Sequence, residues 1–242
     1  MVFQRQRRAA DRLNNSPRRA YDLLRSTLAA RANAYLVEGE LIESLSASRN
    51  TVRVVLQQLA REGLVTREPK NGTRSVAPLL LPVDRISSVA EFAPPPAQVE
   101  TRVREFQHLG CPPLVRDRMA LEDGWRVLMI ESLLFKDGSP LALSVCYVAL
   151  DAGEVVRLEG TEPDPIVILE TQLGVSLRGG RTTVSAVAAD EQSAELLEVD
   201  VHAPLIWLED VIEDDRGRPR ALSQFRLRPD RVAFRADARR LA

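Results

Sequence analysis

Residues 41–53 read Leu41-Ile42-Glu43-Ser44-Leu45-Ser46-Ala47-Ser48-Arg49-Asn50-Thr51-Val52-Arg53, and the fold of the first third turns on them. Glu38, Leu41, Ile42 and Leu45 lie on one side of a short helix. Ser46-Ala47-Ser48 is a tight turn of small side chains, and Ser48 is placed to cap a second helix at once. In that helix Val52, Val55, Leu56 and Leu59 form an i, i+3, i+4, i+7 stripe, and Gly63 ends it as a C′ residue. Upstream, Ser16-Pro17 starts another helix, with Ser as N-cap and Pro at N1. Tyr21, Leu24 and Leu28 carry it through about Ala32. Downstream, strands Leu64–Arg67 and Arg74–Val76 flank Pro69-Lys70-Asn71-Gly72, whose Asn-Gly pair accepts the positive φ of a hairpin turn. Helix, helix, turn, helix and hairpin together predict a winged helix-turn-helix over residues 16–77.

With the stripe of the third helix buried, Arg49, Asn50, Arg53 and Gln57 face outward near its N-terminus, the part of a recognition helix that reaches base edges. Arg forks to guanine O6/N7 and Asn bridges adenine N6/N7. Lys70 and Asn71 at the wing tip suit phosphate or minor groove. Any one of these arginines alone reads as an ordinary solvated charge; the complete motif makes DNA the stronger reading.

Charge agrees. The chain has 242 residues and a net charge of -1. Residues 1–78 carry 14 Lys+Arg against 7 Asp+Glu, leaving 19 basic and 27 acidic residues for the remainder. A basic front on an acidic body points a polyanion at the front. Only His108, His202, Cys111 and Cys146 offer soft ligands, too few and too scattered for a metal site or a disulfide framework. No cofactor is expected. No apolar run is long enough to span a bilayer, and the basic start leads into no apolar h-region. A reduced, cytoplasmic protein with no membrane partner is expected, with residues 1–15 as a disordered basic tail.

Residues 78–98, rich in proline and apolar side chains, read as a loosely packed linker. Beyond it, over 99–242, strands are expected at Glu100–Phe106, Val127–Phe135, Leu141–Val148, Thr182–Ala188, Leu205–Ile212, Arg220–Leu227 and Val232–Arg235. Helices are expected at Pro113–Leu121, Ile166–Leu173 and Glu191–Leu197. Gly138-Ser139-Pro140-Leu141-Ala142-Leu143-Ser144 recurs as Gly217-Arg218-Pro219-Arg220-Ala221-Leu222-Ser223, both reading GxPxALS. Arg126-Val127-Leu128-Met129 aligns with Leu205-Ile206-Trp207-Leu208. Two related hairpins would build one antiparallel sheet with a helix on each half and a pocket between the halves.

The stretch Leu41–Arg53, continued by Leu59-Ala60-Arg61-Glu62-Gly63-Leu64-Val65 and Gly72-Thr73, resembles the DNA-binding domain of GntR-family regulators. The resemblance implies operator contacts from Ser48, Arg49, Asn50, Thr51 and Arg53, and a wing of Lys70, Asn71, Gly72 and Thr73. Glu38 joins the DNA-facing set at the entry to the second helix, where Leu36-Val37-Glu38-Gly39 replaces the family's Pro-Ser-Glu-Arg. The Asp137-Gly138-Ser139-Pro140 turn, the Gly217-Arg218-Pro219 turn and Arg228-Pro229-Asp230-Arg231-Val232-Ala233-Phe234 resemble the UTRA effector domain of the HutC subgroup, related in fold to chorismate lyase. The implied class is α+β: an N-terminal winged helix-turn-helix and a C-terminal antiparallel-sheet effector domain.

By that resemblance Ser132, Leu134, Ser144, Ala221 and Leu227 stand where sugar-phosphate sensors carry Arg-x-Arg, Glu, and a late Glu and Tyr. Tyr147, Arg226 and Arg228 complete the candidate effector set. With the family's charged groups absent, a phosphorylated sugar is disfavoured. A smaller or more apolar effector, or an anion held by Arg226 or Arg228, is expected instead. The implied protein is a homodimeric, effector-controlled repressor on double-stranded operator DNA. An enzyme is the rival. The sequence has no GxSxG elbow and no phosphate loop, and Asp214-Asp215 and Asp190-Glu191 read as turn and helix-start acids.

Overall fold

The computed structural model describes residues 16–30, 35–68, 72–76, 78–93, 99–160 and 162–238. The chain divides into two compact units, Met1–Leu79 and Leu80–Ala242. The expected tail over residues 1–15 lies outside the described residues.

In the first unit α1 (Pro17–Ala30), α2 (Glu38–Ser44) and α3 (Arg49–Arg61) enclose one core. Ala20, Leu24 and Leu28 of α1, Leu41 and Leu45, and Val52, Val55, Leu56 and Leu59 of α3 are all buried there. The turn between α2 and α3 puts Ser46 at φ 47°, and the N–H groups of Ser46 and Ala47 close it onto the carbonyls of Glu43 and Ile42. Tyr21 donates to the Glu62 carboxylate and accepts from Arg25 (2.6 Å), locking α1 to the end of α3. The hairpin β2 (Val65–Glu68) and β3 (Gly72–Ser75) forms as expected. It gains a third strand absent from the sequence reading: β1 (Tyr35–Leu36) pairs with β3, Leu36 opposite Thr73.

The second unit is a six-stranded antiparallel sheet in the order β5-β6-β7-β10-β9-β8. Its strands are β5 (Val99–Gly110), β6 (Arg126–Lys136), β7 (Ser139–Leu150), β8 (Leu177–Ala188), β9 (Pro204–Asp214) and β10 (Pro219–Leu227). The order is a palindrome of two β-helix-β-β halves meeting at β7 and β10. Val145 pairs with Gln224 at the centre, and these two are repeat equivalents, 79 residues apart like Ser144 and Ser223.

The duplication is written in backbone detail. Ala120 and Glu198 have φ 50° and 53°, and Gly124 and His202 have φ 88° and 69°; each pair is 78 residues apart. Cys111 N–H bonds Trp125 O and Ala189 N–H bonds Ala203 O, both at 2.9 Å. In each hairpin the register slips once beside the repeat's proline, at Pro140 and at Pro219, leaving Leu141 and Arg220 as the extra residues. A bulge is where a strand tolerates proline. The glycines of both motifs, Gly138 and Gly217, take φ 74° in the turns.

Because the second turn is one residue longer, the equivalent of Val127 is Leu205 rather than Ile206. The sequence alignment of residues 126–129 with 205–208 is therefore shifted by one.

Helices α5 (Pro113–Arg118) and α7 (Glu191–Leu197) cover one face of the sheet, hereafter the helix face. Met119 and Val115 pack there on Ala149, Val211 and Leu222; Leu197 and Ala194 pack on Leu143 and Leu205. The other face carries Leu128, Ile130, Val148, Ile212 and Ala221 beneath Ile168 and Leu169. The last two belong to a π-helical turn (Ile168–Gln172) that continues α6 (Pro165–Val167).

The expected loose linker is in part ordered and packed. β4 (Leu79–Pro82) pairs with β11 (Val232–Arg235), Ile86 joins the core, and α4 (Val89–Phe92) begins with a Ser88/Glu91 capping box. Four-residue elements carry too little periodicity to be read from sequence.

Candidate nucleic-acid interface and effector face

Ser48 caps α3: its Oγ accepts from Thr51 N–H at 3.1 Å, and the two hydroxyls lie 2.8 Å apart. Thr51 is thereby buried, so of the expected DNA contacts it serves the cap rather than the outer surface. Arg49, Asn50, Arg53 and Gln57 are exposed along one stripe of α3. Glu38 organises this stripe. Its carboxylate oxygen lies 2.9 Å from Arg53 Nε and 3.8 Å from Arg49 Nε, with the two arginine side chains 60% and 73% exposed. The guanidiniums are thus gathered beside the helix N-terminus without being sequestered. Gly72, exposed with φ 96°, and Thr73 open β3. Lys70 and Asn71, the expected wing tip, lie outside the described residues.

Antiparallel register sorts the expected effector residues by face. Ser132 pairs with Ser144, which pairs with Phe225; Leu134 pairs with Ala142, which pairs with Leu227. Ala221 pairs with Val148. These five positions, Ser132, Leu134, Ser144, Ala221 and Leu227, share the face covered by α6. Tyr147 and Arg226 do not. Tyr147 pairs with Leu222 and Arg226 with Leu143, both on the helix face. Arg226 there lies 3.8 Å from Asp190.

Arg228, just past β10, grips Asp230 (2.8 Å) and donates to Leu197 O (3.0 Å) at the end of α7. The expected alternative of an anion held by Arg226 or Arg228 therefore finds neither guanidinium on the face of the serines. Asp214 and Asp190 do what turn and helix-start acids do: Asp214 accepts from the N–H groups of Arg216 and Arg218, and Asp190 from Ser193 N–H.

The α6 face holds polar groups that the sequence reading missed. In the row beside the two serines, Cys146 pairs with Ser223, Ser223 with Asp210, and Asp210 with Thr182. Ser132/Ser144 and Asp210/Ser223 are the same cross-strand pair in the two repeats. Ser132 Oγ is buried without a hydrogen-bond partner among the described residues, and Ser223 Oγ, also buried, has only the neighbouring Cys146 thiol beside it. Burial pushes the Cys146 thiol up to about 12 and raises the Asp210 carboxyl, which accepts from Thr182 Oγ1 at 2.5 Å.

Asp164, also raised by burial, caps α6 through the N–H groups of Ile166 (2.9 Å) and Val167 (3.3 Å). Its other oxygen accepts Val89 N–H at 2.8 Å. A carboxylate of the chain itself thus occupies the backbone donors that an anion would seek. No lysine or arginine stands in the two rows that contain Ser132 and Ser223. The repeated serine of GxPxALS is the signal that would have pointed to Ser223.

A winged helix presenting arginines, followed by a duplicated antiparallel sheet with a polar patch on one face, defines a two-domain DNA-binding regulator. Comparison with known proteins agrees. Residues 97–233 match the UTRA domain, and residues 17–74 match the bacterial regulatory proteins of the gntR family. The chain belongs to the UTRA-domain transcriptional regulators of the GntR family; it is a DNA-binding regulator and not an enzyme.

The HTH-type transcriptional regulator Rv0792c of Mycobacterium tuberculosis is 27% identical over 205 residues, covering 81% of this chain and 74% of that one. Among solved structures, PhnF from Mycobacterium smegmatis superposes with a TM-score of 0.62 at 22% identity, covering 91% and 99% of the two chains. The ligand-binding domain of a GntR-family regulator from Bordetella bronchiseptica gives 0.54 at 22% identity over 59% and 90%. At these identities the structural likeness concerns the fold.

Proposed function

We propose that the protein is a cytoplasmic, homodimeric repressor whose operator affinity is lowered by a small molecule bound on the α6 face. The observation that carries the DNA reading is the exposed stripe of Arg49, Asn50 and Arg53 on a capped helix, gathered by Glu38. A two-fold pair of such helices reads two half-sites on one side of the duplex. An effector that binds one arrangement of the pair better than the other shifts the population and releases DNA. Inverting a 99:1 equilibrium takes about 5.5 kcal/mol of differential binding.

The effector that suits the α6 face is uncharged and hydroxyl- or amide-bearing. Buried serine hydroxyls, two carboxyls and the lack of a lysine or arginine in the two strand rows of Ser132 and Ser223 support this class over a phosphorylated one. Arg53→Ala tests the DNA reading by fluorescence anisotropy on a selected operator. A loss of about 1–3 kcal/mol with relaxed base preference at one position is expected. Uniform weakening on all sequences would make Arg53 a phosphate contact and remove it from base reading.

A further inference from the structure

The buried stripe of α3, Val52, Val55, Leu56 and Leu59, has a counterpart two residues upstream. Asn50, Arg53, Val54 and Gln57 repeat the same i, i+3, i+4, i+7 spacing. Two residues turn a helix by about 200°, so this second stripe points away from the core. All four of its side chains are exposed. Asn50, Arg53 and Gln57 are polar; Val54 is apolar and 41% exposed. A β-branched residue is a poor helix former, and one left in water gains little from burial. Neither the helix nor the core calls for valine at this position. Arg53 and Val54 lie on opposite sides of the line from Asn50 to Gln57. On the Arg53 side stands Glu38, 2.9 Å from Arg53 and 3.8 Å from Arg49. On the other side the next turn of the helix sets only Gln57 and Gln58 beside Val54, at i+3 and i+4.

We propose that Val54 is a specificity-determining residue that packs against the C5-methyl group of a thymine in each half-site. That methyl is the apolar feature of the major groove. Guanine, adenine and cytosine present hydrogen-bonding groups there without it, and valine set against them would leave those groups desolvated and unmatched. Arg53 and Val54 are neighbours in sequence, with Cα atoms about 3.8 Å apart, close to the rise of about 3.4 Å between base pairs. The thymine therefore lies within two base pairs of the pair that Arg53 reads. The inference rests on the reading of Arg49, Asn50 and Arg53 as base-facing, and the experiment separates the two.

The test uses the full chain and an operator duplex selected from a random library, with affinity read by fluorescence anisotropy. Each thymine of one half-site is replaced in turn by deoxyuridine, which removes the methyl and keeps O4 and the base pairing. One thymine, within two base pairs of the position whose preference relaxes in Arg53→Ala, should lose about fourfold in affinity, the worth of one methyl group taken out of water. In Val54→Ser, checked for native fold by circular dichroism, the same replacement should leave affinity unchanged. Gln58→Ala should keep the fourfold loss. The absence of a sensitive thymine in that window, or a loss that persists in Val54→Ser, overturns the proposal while leaving the base-reading role of Arg53 in place. Failure of the chain to enrich any sequence overturns the base-facing stripe itself, and Val54 with it.

Discussion

Removing the Asp164 carboxylate should weaken the effector unit more than any surface substitution. In Asp164→Ala three part-buried N–H groups, those of Val89, Ile166 and Val167, lose the acceptors that now stand at 2.8, 2.9 and 3.3 Å. An unsatisfied donor costs about 1–3 kcal/mol. Burial has raised this carboxyl, so its removal also relieves a desolvation penalty, and the three losses do not simply add. A net loss of about 3 kcal/mol follows, equivalent to roughly 6–12 °C in Tm for a unit of this size.

Both tryptophans, Trp125 and Trp207, lie in the second unit, so urea unfolding followed by their fluorescence reports that unit alone. A loss below about 1 kcal/mol would refute the argument that these bonds hold α6 and the Val89 segment in place. Asp164→Asn refines it: an amide oxygen can still cap α6, but the amide N–H₂ then meets Val89 N–H, donor against donor. The sign with pH follows from linkage. The folded-state carboxyl sits above its ordinary value of 3.8, so the penalty of its charged form is present at neutral pH. That penalty disappears as pH falls through the folded value toward 3.8. Wild type should therefore gain on Asp164→Asn upon acidification.

Three further outcomes are expected. Ser48→Ala removes the acceptor for Thr51 N–H and should cost the DNA-binding unit about 1 kcal/mol, read by thermal circular dichroism; an unchanged melting curve would deny the cap its role. Gly180→Ala would bring a Cβ within 2.3 Å of the Val211 carbonyl oxygen, a backbone atom of β9 that cannot step aside. A cost of about 1–3 kcal/mol in urea is expected, and a neutral result would mean that β8 shifts freely along β9. Glu38→Gln frees Arg49 and Arg53 from their shared carboxylate; non-specific DNA affinity should rise and the salt slope steepen by about one phosphate contact. A slope equal to wild type would show that Glu38 does not restrain these arginines.

Much of this architecture is legible in the residues because its signals are local. The Ser48 cap, the Val52–Leu59 stripe and the repeated GxPxALS motif each act within a few residues of themselves. What stayed hidden is non-local. β1 is two residues long and takes its meaning from Thr73 and Arg74, and β4 takes its meaning from β11. The Asp164 link to Val89 spans 75 residues.

One miss was avoidable. Alternation along a strand sends Ser144 and Tyr147 to opposite faces, and likewise Arg226 and Leu227, so the eight candidate effector residues could not all have met. The register shift between the repeats, by contrast, shows only once the longer second turn is seen paired.

The most direct test of the account is selection of DNA by the full chain from a random duplex library. An inverted repeat with two equivalent half-sites is expected, lost from the enriched pool when Arg53 is replaced by alanine. Enrichment of a single asymmetric half-site, or of no sequence at all, would contradict it.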